Sequence, residues 1–217
     1  MPVASNFAAA SARAFGWMNT AFAATALNPA DAAANLVFSN HNLTVINDYG
    51  TSTNTSGAVR STTNRTSGKY YFEVTADAVT TPGFPEFGVG RSTSSLAGEL
   101  NGQATTTSMA GGATGTCFAL GAARTTQVSM AAGDICQVAV DIDNRTLWFR
   151  PKGTGNWNNT GGADPATNTG GFAISATGGI YVMASCYDGL LSRNQLTFKF
   201  GNNTFVYPIP TGFFPWG

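Results

Sequence analysis

The sequence predicts an all-β protein, a sandwich of two sheets that follows a short N-terminal arm. Short segments that alternate apolar and polar residues recur along the chain, as strands with one buried face do. Clusters of Gly, Asn, Asp and Pro separate these segments and mark turns. No helix of normal length is convincing after residue 30, and about a dozen short strands fit a two-sheet sandwich. At 217 residues, the chain is long enough for one such domain.

The composition disfavours several classes of partner. Only 10% of the residues are charged, against about 25% in typical soluble domains. The formal net charge is zero and the Lys and Arg residues are scattered, so no basic face is available for nucleic acid. No apolar run approaches the roughly 18 residues that a membrane span needs. Such a weakly charged chain fits a protein whose surface is partly covered by partners.

Residues 1–26 differ from the rest of the chain, because they are rich in Ala and contain several large apolar side chains. The candidate partner-binding residues of this arm are Phe7, Phe15, Trp17, Met18 and Phe22. Steps of three and four between apolar residues indicate an amphipathic helix, although Gly16 weakens its middle. A signal peptide fits less well, because no positive charge precedes the apolar part. Two roles stay open: a helix packed on its own domain, or an arm that docks on a neighbouring subunit.

After the arm, the chain opens with a turn cluster at 27–31 and then alternates strands and loops. The clearest strand of the first half is 69–75. Residues 96–115 are small, polar and Gly-rich, which predicts a long surface loop. The closing residues 205–217 carry three prolines among aromatics and predict an extended strand and tail. The other predicted strands are 35–39, 43–46, 59–62, 87–90, 116–120, 125–129, 171–175, 180–185 and 195–200.

One hairpin dominates the second half of the sequence. Its predicted strands are 134–141 and 146–150, and Asp143-Asn144 supplies the tight turn between them. A long loop rich in Gly, Asn and Trp follows. Side-chain alternation places these residues on one shared face within each strand: Tyr70, Phe72 and Val74; Cys136, Val138, Val140 and Ile142; Leu147 and Phe149; Leu196, Phe198 and Phe200.

The hairpin also contains the acidic pair that most resembles a catalytic site. Asp141 and Asp143 fall on one strand face, and sandwich-fold glycosidases use carboxylates placed this way. Their position at a turn explains them without catalysis, because Asp143 with Asn144 suits a tight bend. Oxygen ligands from these three residues and Asp164 would suit calcium, but the spacing matches no calcium loop. We therefore predict no catalytic and no metal-binding residue.

The cysteines and the single histidine indicate no further site. Cys117, Cys136 and Cys186 lie in strand-like segments, where free thiols usually behave as small buried apolar groups. With His41 as the only histidine, a Cys/His zinc site is not expected. The sequence contains no phosphate-binding loop and no Gly-x-Ser-x-Gly elbow, so no cofactor is expected either.

Three aromatic side chains are candidates for a sugar-stacking platform: Trp148, Trp157 and Tyr187. The alternative, which we favour, is that Trp148 belongs to the core and that Trp157 anchors its own loop. Under that alternative, packing explains the two tryptophans, and no ligand is needed to account for them.

Four segments of the chain form a recognisable set. They are GKYYFEV at 68–74, FGVGRST at 87–93, GDICQVAVDIDNRTLWFR at 133–150 and LTFKFG at 196–201. Together they resemble the SPRY domain, in the variant found in structural proteins of bacteriophages and prophages. Further features of that variant match in order: Asn-Pro-x-Asp at 28–31, Asn-Leu-Thr at 42–44, Val-Arg-Ser-Thr at 59–62, a Trp-Asn loop ending in Asp-Pro-Ala-Thr at 157–167, and Phe-x-Tyr-x-x-Pro-x-Gly-Phe at 205–213.

The resemblance covers about residues 27–217 and implies a bent, antiparallel two-sheet sandwich of the concanavalin-like jelly-roll type. It also implies an interaction module without catalysis, because SPRY domains generally bind partners through loops at one edge of the sandwich. Here those loops would include 92–107 and 156–169. The arm, residues 1–26, lies outside the pattern. The candidate ligand contacts at the loop edge are Trp157, Asn158 and Tyr187.

The leading functional interpretation is a non-enzymatic virion structural protein, made in the bacterial host cytoplasm and attached to a capsid or tail through its arm. Its expected partners are other virion proteins and further copies of itself in a symmetric assembly. The runner-up is a carbohydrate-binding module for host adhesion, with a host-surface glycan as ligand. A glycan-cleaving enzyme based on Asp141 is a third interpretation.

Overall fold

A computed structural model of the chain describes residues 24–47, 55–80, 85–111, 115–127, 129–189, 192–201 and 205–217. It confirms the predicted class, since two antiparallel sheets pack face to face as a sandwich. Within these ranges the only helical element is a single 3-10 turn, Trp157–Asn159. No helix among the described residues is long and apolar enough to cross a membrane. Outside the described ranges lie the candidate arm residues Phe7, Phe15, Trp17, Met18 and Phe22.

The described ranges contain sixteen strands in two sheets. In chain order they are β1 Leu27–Ala32, β2 Leu36–Ser39, β3 Thr44–Asn47, β4 Thr55–Arg65, β5 Lys69–Ala78, β6 Glu86–Gly90, β7 Thr106–Ala110, β8 Thr116–Ala119, β9 Ala122–Thr126, β10 Ile135–Asp141, β11 Thr146–Pro151, β12 Phe172–Ala173, β13 Ile180–Gly189, β14 Ser192–Arg193, β15 Gln195–Lys199 and β16 Phe214–Pro215. Sheet I has the order β1-β4-β13-β6-β7-β8-β9, with β14 paired to β13. Sheet II has the order β12-β11-β10-β5-β15-β3-β2, with β16 paired to β5.

The core between the sheets uses the faces that alternation predicted. Phe87 of sheet I meets Phe149 of sheet II edge to face, with ring centroids 6.0 Å apart. Burying a side chain of this size contributes roughly 1.5–3 kcal/mol. The inward residues of sheet II include Phe72, Val74, Cys136, Val138, Val140, Leu147, Phe149, Leu196 and Phe198, and those of sheet I include Val59, Phe87, Val182 and Ala184.

The last strand, β16, pairs with the part of β5 that lies beyond the end of β15 in sheet II. β15 pairs with β5 only as far as Glu73, and β16 then pairs with β5 in parallel at Tyr70 and Tyr71. Trp216 follows directly and is fully buried between the sheets, with its ring centroid 5.8 Å from that of Phe72. The predicted closing strand and tail are therefore confirmed, and the tail contributes to the core.

The turn predicted at 27–31 is wrong, because these residues belong to β1. This strand lies at the edge of sheet I, and its register with β4 shifts between Leu27 and Ala32. Pro29 has no backbone N–H to donate, so it is tolerated only where a ladder hydrogen bond is missing, as at an edge or a bulge. Local turn chemistry was outweighed here by pairing with β4.

The surface loop predicted at 96–115 is wrong in part, because it contains β7. All five residues of β7 are buried, and β6 and β8 pair with it on its two sides. A Thr-Thr-Ser run without alternation carries no strand signal, since neither of its faces is apolar. The strand predicted at 125–129 is also displaced, because β9 occupies 122–126.

Residues 25 and 217 are neighbours in space. Thr25 is buried, its Oγ1 lies 2.7 Å from Thr63 Oγ1, and a Cβ added to Gly217 would lie 2.8 Å from the Thr25 Cβ. Thr25 and Ala26, which the sequence assigned to the arm, thus already pack on the sandwich. The arm joins the sandwich beside β16.

Candidate functional site

The first predicted ligand loop, 92–107, folds onto the outer face of sheet I. Leu100 is fully buried there with Ala58 and Met183. The backbone N–H of Ala58 donates to the carbonyl of Leu96 at 2.9 Å, which ties the loop to β4. Much of this loop is therefore a fixed covering of the sheet, and only its remaining exposed residues are available to a partner.

Glu86 of β6 anchors this loop from beneath. Its buried carboxylate accepts hydrogen bonds from the backbone N–H of Leu100 (2.6 Å) and of Asn101 (3.0 Å), from Asn101 Nδ2 (2.7 Å) and from Ser185 Oγ (3.2 Å). Burial raises the pKa of Glu86 above its ordinary value, although the hydrogen bonds from Asn101 oppose the shift. With four donors, this carboxylate holds the loop in place.

The second predicted ligand loop, 156–169, lies on the outer side of sheet II and is held by Asn158. This residue is fully buried; its Oδ1 accepts from Phe149 N–H (2.8 Å), and its Nδ2 donates to the carbonyls of Leu147 (3.2 Å) and Gly170 (2.9 Å). β12 pairs with β11 over two residues only. The Asn158 amide therefore pairs with the β11 edge as a neighbouring strand would.

Both tryptophans of this region are packing residues. Trp148 is fully buried and its Nε1 donates to the carbonyl of Thr169 at 2.7 Å, while Trp157 is 9% exposed. They form a second, smaller apolar cluster with Tyr71 and Phe213 on the outer face of sheet II. The alternative in which Trp157 anchors its own loop agrees with this position, and Trp148 belongs to this second cluster and not to the core between the sheets.

The three candidate ligand contacts do not form one site. Trp157 and Asn158 lie on the outer side of sheet II. Tyr187 is on β13 of sheet I, half-buried, and points away from the core because Ala184 and Cys186 face it. The sugar-stacking platform is therefore not assembled, and the burial of Trp157 and Asn158 does not fit a direct ligand contact.

A C-terminal strap, residues 205–213, covers another part of the same outer face. Glu73 is fully buried beneath it and accepts hydrogen bonds from Tyr71 Oη (2.9 Å) and from the backbone N–H groups of Val206 (2.9 Å) and Tyr207 (2.8 Å). Burial raises the pKa of Tyr71 well above its ordinary value, so the phenol stays a neutral donor. In the sequence, this anchor is visible only as an acid on the outward face of a strand.

The acidic pair of the hairpin serves its turn. Asp141 is fully buried and accepts from the backbone N–H (2.9 Å) and Nδ2 (2.8 Å) of Asn144, and Lys69 Nζ lies 3.0 Å from its Oδ2. Burial alone would raise the pKa of Asp141, but the Asn144 hydrogen bonds and Lys69 bring it below its ordinary value. Asp143 Oδ1 accepts from Gly68 N–H at 2.9 Å. These contacts support the turn interpretation over catalysis.

The other candidate chemistry has structural explanations as well. Asp164 caps the N–H of Ala166 within its own turn at 2.9 Å. Among the described residues, no group of three or more His, Cys, Asp or Glu side chains could hold a metal ion. All three cysteines are free and buried, as predicted, and burial raises the pKa of Cys186 to about 12. His41 is exposed in the β2–β3 turn at φ 55°.

Sequence reasoning missed two arginines that meet on one loop at the end of the sandwich. Arg91 Nη1 donates to Ser175 Oγ (3.2 Å) and Thr177 Oγ1 (3.1 Å). Arg145 Nη1 donates to the carbonyls of Ser175 (3.2 Å) and Gly178 (3.2 Å). Fifty-odd residues separate the two arginines in the chain, so no sequence pattern links them; only the fold brings them to the β12–β13 loop.

Comparison with known proteins identifies the fold. No protein-family model matches the sequence, and neither does any curated protein sequence. Among solved structures, the SPRY domain of human HERC1 superposes with a TM-score of 0.61 at 15% identity, covering 82% of this chain and 99% of that one. The PSpry domain of TRIM65 gives 0.54 at 14% identity, covering 88% and 98%. A human SPRY domain gives 0.52 at 10% identity, covering 78% and 98%. The sandwich built from residues 24–217 therefore has the SPRY fold.

Proposed function

We propose that this protein is a non-enzymatic interaction module that binds other proteins through loops fixed on its sandwich. The observation that carries this proposal is the SPRY fold, in which both predicted ligand loops are fastened to the outer faces of the sheets by buried anchors. A rigid scaffold that presents exposed loop segments is suited to recognition. The acidic groups that sequence analysis considered for catalysis are engaged in turns, which gives them a structural role.

We further propose that the interaction takes place in a phage particle, with this protein as a capsid-decorating or tail component. The support is the ordered set of motifs that resembles the phage variant of the SPRY domain, together with the 10% charged composition that fits a partly covered surface. Other virion proteins and further copies of the chain are the proposed partners. Residues 1–26, which lie outside that motif set, are the proposed attachment arm.

The test is copurification with assembled particles from the bacterial host. The full chain should sediment with particles at a copy number that fits their symmetry. A variant that lacks residues 1–23 should stay folded but remain in the supernatant. The deletion stops before Thr25, because that residue packs against Thr63 and Gly217.

Two results would contradict the proposal. A full chain that never associates with particles would refute the virion role. A truncated chain that decorates particles as well as the full chain does would refute the arm as the anchor. Thermal unfolding of the truncated chain is the control, since a folded sandwich is required before either result can be interpreted.

A further inference from the structure

Four arginines in the described part of the chain differ in which edge of the guanidinium they use. Arg60 is buried and uses all three nitrogens: Nε donates to the Arg91 carbonyl (2.9 Å), Nη1 pairs with Asp31 (2.7 Å), and Nη2 donates to the Ser94 carbonyl. Arg65 directs Nε and Nη2 at the carbonyl of Trp216. In both arginines, Nε and Nη2 therefore donate to carbonyl groups of the protein itself.

Arg91 and Arg145 have the opposite arrangement. Each is tethered only through Nη1, to the β12–β13 loop. Within the described ranges, their Nε and Nη2 atoms have no hydrogen-bond partner, and neither residue contributes to the buried polar atoms that lack one. These donors therefore face solvent. A guanidinium carries five N–H donors, and the Nε–Nη2 edge is one that binds a carboxylate in bidentate fashion.

The two guanidiniums also lack a counter-charge. Neither forms an ion pair with a carboxylate in the part of the chain that the structure describes. The acids nearest to them along the chain are engaged elsewhere: Glu86 by the 92–107 loop and Asp143 by the N–H of Gly68. Both cations are held at the same residue, Ser175, which is buried. Two like charges that contact one residue, without a paired carboxylate, raise the local potential and favour an incoming negative group.

The hydrogen bonds from Nη1 reduce the entropy that Arg91 and Arg145 lose when they bind a ligand. A free arginine loses much rotamer entropy when it is immobilised on a ligand. Here Nη1 already fixes each side chain, so less of that cost remains. The surface around them is open, since Thr177 and Gly178 are exposed. An exposed surface with two separate guanidinium edges suits a chain with several carboxylates better than one small enclosed anion.

We propose that Arg91 and Arg145 form a receptor for an acidic segment of a protein partner, each Nε–Nη2 edge binding one Asp or Glu carboxylate. The proposal rests on the interaction function proposed above and assigns the chemistry of the partner. Recognition by paired, charge-assisted hydrogen bonds would be specific for the planar carboxylate and sensitive to salt.

The test uses a fluorescently labelled hexaglutamate peptide and the full chain, with anisotropy read at low and at physiological salt. The double variant Arg91→Gln/Arg145→Gln should bind at least about tenfold more weakly than the wild type, because both sets of charge-assisted hydrogen bonds are lost; tenfold corresponds to about 1.4 kcal/mol. Arg124→Gln is the matched control, because Arg124 is an exposed arginine on the edge strand β9 and its loss changes the net charge by the same amount per site.

A second variant guards against misfolding and against plain charge attraction. Arg91→Lys/Arg145→Lys keeps both charges but removes the bidentate fork, so it should also lose affinity. All variants are first compared by thermal unfolding. Wild-type affinity in the lysine variant, or equal weakening by Arg124→Gln, would overturn the proposal. Displacement of the peptide by polygalacturonate or inorganic phosphate, at equal carboxylate or phosphate concentration, would also overturn it. The site would then bind any anion without selectivity for an acidic peptide.

Failure of this inference can be told apart from failure of the proposed function. Particle association is measured in parallel for the double glutamine variant. If hexaglutamate does not bind the wild type while particle association is normal, the carboxylate receptor is refuted and the virion role stands. If the peptide binds through the two arginines but the full chain never joins particles, the receptor stands and the virion role is refuted.

Discussion

Replacing Asn158 with Ala should destabilise the sandwich more than any other single change in the 156–169 loop. The Asn158 amide makes three buried hydrogen bonds, to Phe149 N–H, the Leu147 carbonyl and the Gly170 carbonyl. Alanine removes all three and leaves one N–H and two carbonyls without this partner in a fully buried site. It must also adopt φ 50°, a left-handed conformation that Asn tolerates and Ala does not.

The expected loss follows from these contacts. Three buried hydrogen bonds at about 1 kcal/mol each give about 3 kcal/mol, and the left-handed backbone adds about 1 kcal/mol. The sum, about 4 kcal/mol, is a large part of the 5–15 kcal/mol that typically stabilises a domain. For a chain of this length the Tm should fall by about 10 °C.

Urea denaturation of the full chain measures this loss. Asn156→Ala is the matched control: Asn156 is exposed, two residues away, and its side chain makes no capping hydrogen bond, so the change should be within about 0.5 kcal/mol. Asn158→Asp tests the hydrogen bonds separately, because it keeps the size and the turn preference but turns the donor into an acceptor facing two carbonyls. A loss below about 1 kcal/mol in Asn158→Ala, or equal losses in the variant and the control, would refute the strand-substitute role.

Four further outcomes are expected. The raised pKa of Glu86 means that its contribution to stability is fully present below the unfolded pKa, about 4.3, and is lost as pH rises through the folded value. Wild type should therefore lose stability relative to Glu86→Gln as pH rises above about 4.3, and a flat difference in urea midpoints would contradict this. The lowered pKa of Asp141 has the opposite effect on stability. Its stabilisation is present above the unfolded pKa, about 3.9, and is lost as pH falls through the folded value. The wild type should therefore be more stable than Asp141→Asn at neutral pH, and this difference in urea midpoint should shrink in acid. Gly88→Ala should cost about 3 kcal/mol or more, because its Cβ would overlap the backbone of the paired strand β7, whereas Gly161→Ala, with nothing within 4 Å, should be neutral in the same unfolding assay. Burial raises the pKa of all three cysteine thiols, so a thiol reagent should label none of them in native protein and all of them in denaturant; rapid native labelling of any one would show that the core is open there.

Much of the fold was predictable because strand alternation is local. The inward faces of β5, β10, β11 and β15 were read from a period of two, and Asp143-Asn144 was placed correctly as a turn. These features depend on neighbouring residues in the chain, so they are visible in the sequence. The buried state of the cysteines followed from the same alternation.

The errors at 27–31 and 96–115 arise because strand pairing overrode the local sequence pattern. The Thr-Thr-Ser run that begins β7 has no apolar face, yet all of β7 is buried and pairs with β6 and β8. The burial of Trp157 likewise depends on distant residues, because it belongs to a cluster with the C-terminal strap, more than forty residues away. No local pattern reports such a contact.

The sequence by itself determined the all-β class, the position of the central hairpin and the side chains between the two sheets. Tertiary structure alone decided which outward residues are covered and which remain available. It buried Asn158 and Glu73 under loops, and it brought Arg91 and Arg145 together at Ser175 with one edge of each guanidinium open. The reason is that alternation fixes the direction of a side chain, whereas its environment depends on segments far away in the chain that pack over it.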